Sequence, residues 1–89
     1  MSPSPNDFAE RLEAFVRERF MVATDDEGFD RHVNLWEEGY VDSLGSVELI
    51  EFVESSLSVT LPTSVLFDPQ FTSIAGIAKL AVALMDSRD

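Results

Sequence analysis

Three stretches of this sequence repeat apolar residues every three or four positions, which is the spacing of one face of an α-helix. They cover about residues 7–21, 43–57 and 73–85, and residues 63–67 predict one further short helical turn. No segment shows the strict alternation of apolar and polar residues that is typical of a half-buried β-strand. The pattern therefore predicts an all-α fold, a small four-helix bundle with three long helices and one short helix.

A long connection joins the first two predicted helices and covers residues 22–42. A loop of this length inside a compact domain needs something that holds it in place. We expect the apolar side chains of Phe29, Val33, Leu35 and Trp36 to tie it to the core.

A chain of 89 residues can enclose one hydrophobic core. Its first six residues contain two prolines and two serines, which disfavour regular structure. The sequence therefore predicts a disordered lead over residues 1–6, a first helix capped by Asn6 or Asp7, and a single domain over residues 7–86.

The charge of the chain is strongly negative. It has 17 Asp and Glu against 6 Lys and Arg, which gives a net charge of −11. Such a chain lacks the cations that bind nucleic-acid phosphates or anionic membrane surfaces, so proteins with basic patches are the expected partners. No apolar run is long enough to span a bilayer, and the N-terminus lacks a secretory signal pattern. We therefore expect a cytoplasmic monomer that binds neither nucleic acid nor membrane.

Metal chemistry is disfavoured by composition. Cysteine is absent and His32 is the single histidine, so thiolate and two-histidine sites are excluded. The acidic run at residues 25–28 resembles a calcium loop, but placing Gly28 at its sixth position puts Ala23 first and Asn34 last. Neither residue is the carboxylate that a calcium loop needs there, and we predict no metal site.

Hydrolytic catalysis is also disfavoured. The nucleophile elbow of hydrolases has glycine two residues before and two residues after its serine. Around Ser43, Gly45 fits this pattern, but position 41 is Val41. We predict no catalytic residues and expect that the protein is not an enzyme.

The segment Asp42-Ser43-Leu44 opens the second predicted helix. The first backbone N–H groups of a helix lack partners within the helix, and the helix dipole favours an anion such as a phosphate there. A serine at this place can carry a phosphodiester. It can also be a plain N-cap, and Asp42 could cap the helix as well, since both residue types are common caps.

This segment resembles the attachment site of acyl carrier proteins. The resemblance covers most of the chain and includes the break at Leu61-Pro62 after the second helix. It implies that Ser43 of the Asp42-Ser43-Leu44 motif receives 4′-phosphopantetheine from coenzyme A through a phosphopantetheinyl transferase. It also implies that Asp42 helps that transferase to hold its metal and coenzyme A.

Further residues of the second helix are candidate partner contacts: Val47, Glu48, Glu51 and Glu54. Three glutamates on a helix are often only a solvated face. In the carrier family, acidic residues here meet basic patches of partner enzymes, and Val47 would add an apolar contact. Fatty-acid carriers often have an apolar residue where this chain has Glu51, which favours a different set of partners.

The resemblance implies a discrete carrier that holds an acyl or aminoacyl group as a thioester. Its partners would be a loading ligase or transferase and a downstream synthase. The pattern around the serine is similar to stand-alone carriers of the D-alanyl type and of polyketide extender or starter units, so we expect a role in secondary-metabolite biosynthesis. The alternative is an unmodified acidic helical adaptor that binds a basic protein.

Overall fold

The structure, a computed structural model, describes residues 3–87. In this part of the chain there are four α-helices and no β-strand, which confirms the predicted all-α bundle with three long helices and one short helix. The helices are α1 (Pro5–Arg19), α2 (Ser43–Leu57), α3 (Thr63–Leu66) and α4 (Ile74–Asp86).

Helix α1 begins two residues earlier than predicted. The backbone N–H of Asp7 donates a hydrogen bond to Ser4 Oγ over 3.1 Å, so Ser4 is the N-cap. Pro5 follows at the first helical position, where its missing N–H costs no hydrogen bond. The predicted disordered lead is therefore wrong for residues 4–6, and Asn6 and Asp7 are not the cap. Residues 1 and 2 of that lead lie outside the described residues.

The other end of α1 turns sharply. Phe20 is the C-cap, and Met21 adopts a left-handed conformation with φ 55°. The Val22 N–H donates to the carbonyl of Arg17 over 3.0 Å, which is the closing bond of a Schellman motif. This motif ends α1 at Arg19 rather than at position 21.

The remaining helices lie close to their predicted positions. Helix α2 has the predicted bounds, and α4 follows Ser73, whose Oγ accepts a hydrogen bond from the Gly76 N–H over 3.1 Å. None of the helices among residues 3–87 has the length and apolar character needed to cross a bilayer.

The core lies between α1, α2 and α4 and includes parts of the long loop. Its largest fully enclosed side chains are Phe8, Leu12, Val16, Leu35, Leu49, Val53, Ile74 and Ile77. The loop is fixed by backbone as well as by side chains: the Leu35 N–H donates to the Thr72 carbonyl over 2.8 Å, and the Ala75 N–H donates to the Arg31 carbonyl over 2.9 Å.

Four apolar loop side chains were predicted to tie the loop to the core, and the structure confirms this. Phe29 and Leu35 are buried, while Val33 and Trp36 are half-buried and pack against the core. The loop therefore delivers residue 42 to a defined place at the start of α2.

Candidate functional site

Asp42 caps helix α2. Its Oδ1 accepts a hydrogen bond from the Gly45 N–H over 2.7 Å, and its carbonyl accepts one from the Ser46 N–H over 2.9 Å. Asp42 has extended backbone, as an N-cap does, and Ser43 is the first helical residue. The interpretation of Ser43 as a plain N-cap is therefore wrong, because Asp42 has that role.

The side chain of Ser43 is exposed, and its hydroxyl makes no hydrogen bond to any of the described residues. It stands in the first turn of α2, where the unpaired N–H groups give the helix its partial positive charge. An accessible hydroxyl at the positive end of a helix can be esterified by a phosphate without breaking a contact that the fold uses.

Only one oxygen of the Asp42 carboxylate accepts a hydrogen bond from the described residues. Its Oδ1 is the cap, whereas its Oδ2 accepts no hydrogen bond from residues 3–87. Asp42 is also exposed. One oxygen is thus available to a partner beside the Ser43 hydroxyl.

The first turn of α2 is anchored to the loop through Trp36. Its indole N–H donates to Ser46 Oγ over 2.6 Å, and this hydroxyl in turn donates to the Asp42 carbonyl over 2.9 Å. The prediction that Trp36 pins the loop is confirmed. Sequence reasoning did not find Ser46, since a serine inside a helix carries no signal of such a partner.

A close contact between helices fixes the same turn from the other side. A Cβ atom at Gly45 would come within 2.6 Å of Cε1 in the Phe20 ring. Any other residue here requires the Phe20 ring or one of the helices to shift. Gly45 thus sets how near α1 lies to Ser43.

The acidic run in the loop is used for structure. Asp26 accepts hydrogen bonds from the Gly28 N–H over 2.9 Å and from the Tyr40 hydroxyl over 2.8 Å. Desolvation raises the pKa of Tyr40, and the bond to the Asp26 carboxylate raises it further. Within residues 3–87, no group of three or more His, Asp or Glu is placed to hold a metal ion.

A shallow groove of about 350 Å³ opens beside the first turns of α2. Its lining includes Trp36, Ser46, Ile50, Leu66 and Phe71. The groove begins one turn from Ser43, so a flexible arm attached to that residue has a partly apolar surface within reach.

The outward face of α2 combines apolar and acidic side chains. Leu44, Val47 and Glu51 follow one another at helical spacing, so they share this face. Leu44 is 72% exposed and Val47 is 53% exposed, and Glu51 is exposed as well. Large apolar side chains this open, next to Ser43, are suited to contact with a partner.

The three glutamates of α2 have different surroundings and do not form one common acidic surface. Glu48 forms an ion pair with Arg19 of α1, whose Nη2 donates to Glu48 Oε1 over 2.6 Å. Glu54 Oε2 accepts a hydrogen bond from the Leu61 N–H over 2.7 Å and so holds the connection to α3. Among the three, only the Glu51 carboxylate has no partner among the described residues.

Comparisons with family models, with curated proteins and with solved structures gave no match.

Proposed function

We propose that this protein is a discrete acyl or aminoacyl carrier whose Ser43 bears a 4′-phosphopantetheine arm. The observation that carries the proposal is the state of the Ser43 hydroxyl. It is exposed and unbonded among the described residues at the first position of α2, while the neighbouring Asp42 performs the capping. The resemblance of the surrounding segment to carrier attachment sites supports the same assignment.

The attachment is a phosphoryl transfer from coenzyme A. The Ser43 oxygen forms a new bond to the phosphorus next to the pantetheine, and the pyrophosphate bond of coenzyme A breaks. Adenosine 3′,5′-bisphosphate leaves, and the serine proton passes to a base of the transferase. The phosphodiester that remains lies at the positive end of α2, which favours its charge.

The arm ends in a thiol, and this thiol holds the cargo as a thioester. The chain contains no cysteine, so the arm carries the only thiol of the modified protein. A tether of this kind brings one cargo to several active sites at high effective concentration. Loading by a ligase or transferase and release to a synthase would be the work of partner enzymes, and the carrier itself would not be an enzyme.

The local pattern favours a dedicated carrier of secondary metabolism. Glu51 stands on the outward face of α2 where fatty-acid carriers often have an apolar residue. A partner that fits this face must satisfy a carboxylate there. This supports a set of partners distinct from those of fatty-acid synthesis.

Counting thiols tests the proposal against the unmodified adaptor. Before treatment the chain has none, folded or denatured. After incubation with coenzyme A and a broad-specificity phosphopantetheinyl transferase, we expect one reactive thiol per folded chain. Loading with an acyl or aminoacyl group should remove it, and hydroxylamine should restore it by cleaving the thioester. An adaptor would show no thiol at any stage.

A further inference from the structure

The end of α1 stands beside the start of α2. The Phe20 ring lies against Gly45, and Arg19 pairs with Glu48 one turn further along α2. Gly45 and Glu48 thus form the row of α2 that faces α1. Leu44 and Val47 each precede one of these residues, so they form the next row around the helix, which faces solvent.

Met21 projects from this same end of α1. It follows Phe20 directly, and its side chain is 87% exposed, more than any other large apolar side chain among residues 3–87. Its backbone is left-handed, with φ 55°, at a helix end where glycine is the usual residue. A large apolar side chain at this position raises the conformational energy and gains little burial in return.

Although α2 contains three glutamates, most of their charge is paired within the fold. Arg19 pairs with Glu48, and Glu54 accepts from the Leu61 N–H, so Glu51 is the one glutamate of α2 whose carboxylate has no partner among the described residues. The outward row of α2 after Ser43 thus carries two exposed apolar side chains and one unpaired carboxylate, while the half-bonded carboxylate of Asp42 stands directly before Ser43.

We propose that the enzyme that modifies Ser43 docks on a surface formed by both helices. We call it the docking corner: Leu44, Val47 and Glu51 of α2, Arg19 at the end of α1, and Met21, which follows the C-cap of α1. The inference rests on the proposed function and adds α1 to the recognition surface. The matching enzyme surface is an apolar patch with a cation opposite Glu51, whose charge complements that unpaired carboxylate.

Met21→Gly tests the inference because it separates stability from docking. Glycine adopts φ 55° without steric cost, so the variant should keep its melting temperature or gain up to about 5 °C. Docking should suffer, since the apolar contact is lost. With a broad-specificity phosphopantetheinyl transferase and coenzyme A, we expect KM for the carrier to rise about three- to tenfold at unchanged kcat. Met21→Asn, which also tolerates left-handed backbone, should give the same result.

Ser58→Gly is the matched control. Ser58 also has left-handed backbone, with φ 53°, at the C-cap of α2, the end of that helix remote from Ser43. The KM of this variant should equal that of the wild type.

Three outcomes would count against the inference, and they differ in what they overturn. If the wild type is modified and Met21→Gly has an unchanged KM, the docking corner is wrong while the carrier function stands. If the wild type gains no phosphopantetheine, the carrier function and the docking corner fall together. A tenfold or greater rise in the KM of the wild type between low and high salt would also contradict a mainly apolar contact between the docking corner and the enzyme. It would indicate a contact made mainly by charges.

Discussion

The Phe20 ring lies against the backbone of Gly45, close enough that an added Cβ atom would meet the ring at 2.6 Å. This contact joins the end of α1 to the first turn of α2. It fixes how the end of α1 lies relative to the turn that carries Ser43.

Gly45→Ala should therefore destabilise the fold. The new methyl group forces the ring or the helix to move, and overpacking of this kind costs about 1–3 kcal/mol. The free energy of unfolding in urea measures the loss. A second change, Phe20→Leu, removes the ring edge and should recover part of it. A fully stable Gly45→Ala protein would show that the Phe20 ring does not pack tightly against position 45.

Asp42→Ala and Ser43→Ala should differ in stability. Asp42 provides the N-cap through its Oδ1, and loss of such a cap costs about 0.5–2 kcal/mol. Ser43 makes no hydrogen bond to the described residues, so its replacement should change the free energy of unfolding by less than about 0.5 kcal/mol. Equal losses in the two variants would contradict the assignment of the cap.

Replacing Glu54 should destabilise the fold, whereas replacing Glu51 should not. Glu54→Ala leaves the Leu61 N–H without its acceptor in a partly buried place, which costs about 1–3 kcal/mol. Glu51→Ala removes an exposed side chain and should stay within about 0.5 kcal/mol of the wild type. Chemical denaturation of both variants compares them. A loss at position 51 as large as that at position 54 would refute this division.

Acidification should weaken the fold through Glu13. Hydrogen bonds from Arg31 and Arg17 lower the pKa of Glu13 below its ordinary value near 4.5. A lowered pKa in the folded state stabilises the fold above the ordinary pKa, and this stabilisation is lost as the pH falls through the folded value.

Unfolding measurements at pH 7 and pH 3 with a Glu13→Gln variant test this. At pH 7 the wild type should be more stable than the variant, and the difference should shrink at pH 3. A difference that is the same at both pH values would show that the ion pairs of Glu13 do not contribute.

The sequence predicted the parts of the fold that depend on local pattern. The bounds of α2 followed from its apolar spacing and from a cap residue beside Ser43, both of which are local signals. The prediction placed the start of α1 too late, because the two prolines among the first six residues disfavour regular structure in general. Ser4 and Pro5 together make a favourable helix start.

The parts that sequence reasoning could not reach depend on tertiary contacts. Arg19 and Glu48 are 29 residues apart, and only the packing of α1 on α2 brings them together. The sequence predicts Glu54 as a surface residue. Its role as the acceptor for the Leu61 N–H depends on how the chain turns after α2, which the sequence pattern does not indicate. The motif led to the proposal that Ser43 is modified, but it did not indicate which of the nearby carboxylates are paired within the fold.

Intact mass tests the carrier assignment most directly. The wild type, Ser43→Ala and Ser55→Ala are incubated with coenzyme A and a broad-specificity phosphopantetheinyl transferase. Ser55 lies exposed further along α2 and donates to the Glu51 carbonyl over 2.8 Å, so it is a control serine on the same helix. The wild type and Ser55→Ala should each gain the mass of one phosphopantetheine, and Ser43→Ala should gain none. A wild type that gains no mass, or a Ser43→Ala protein that gains it, would contradict the assignment.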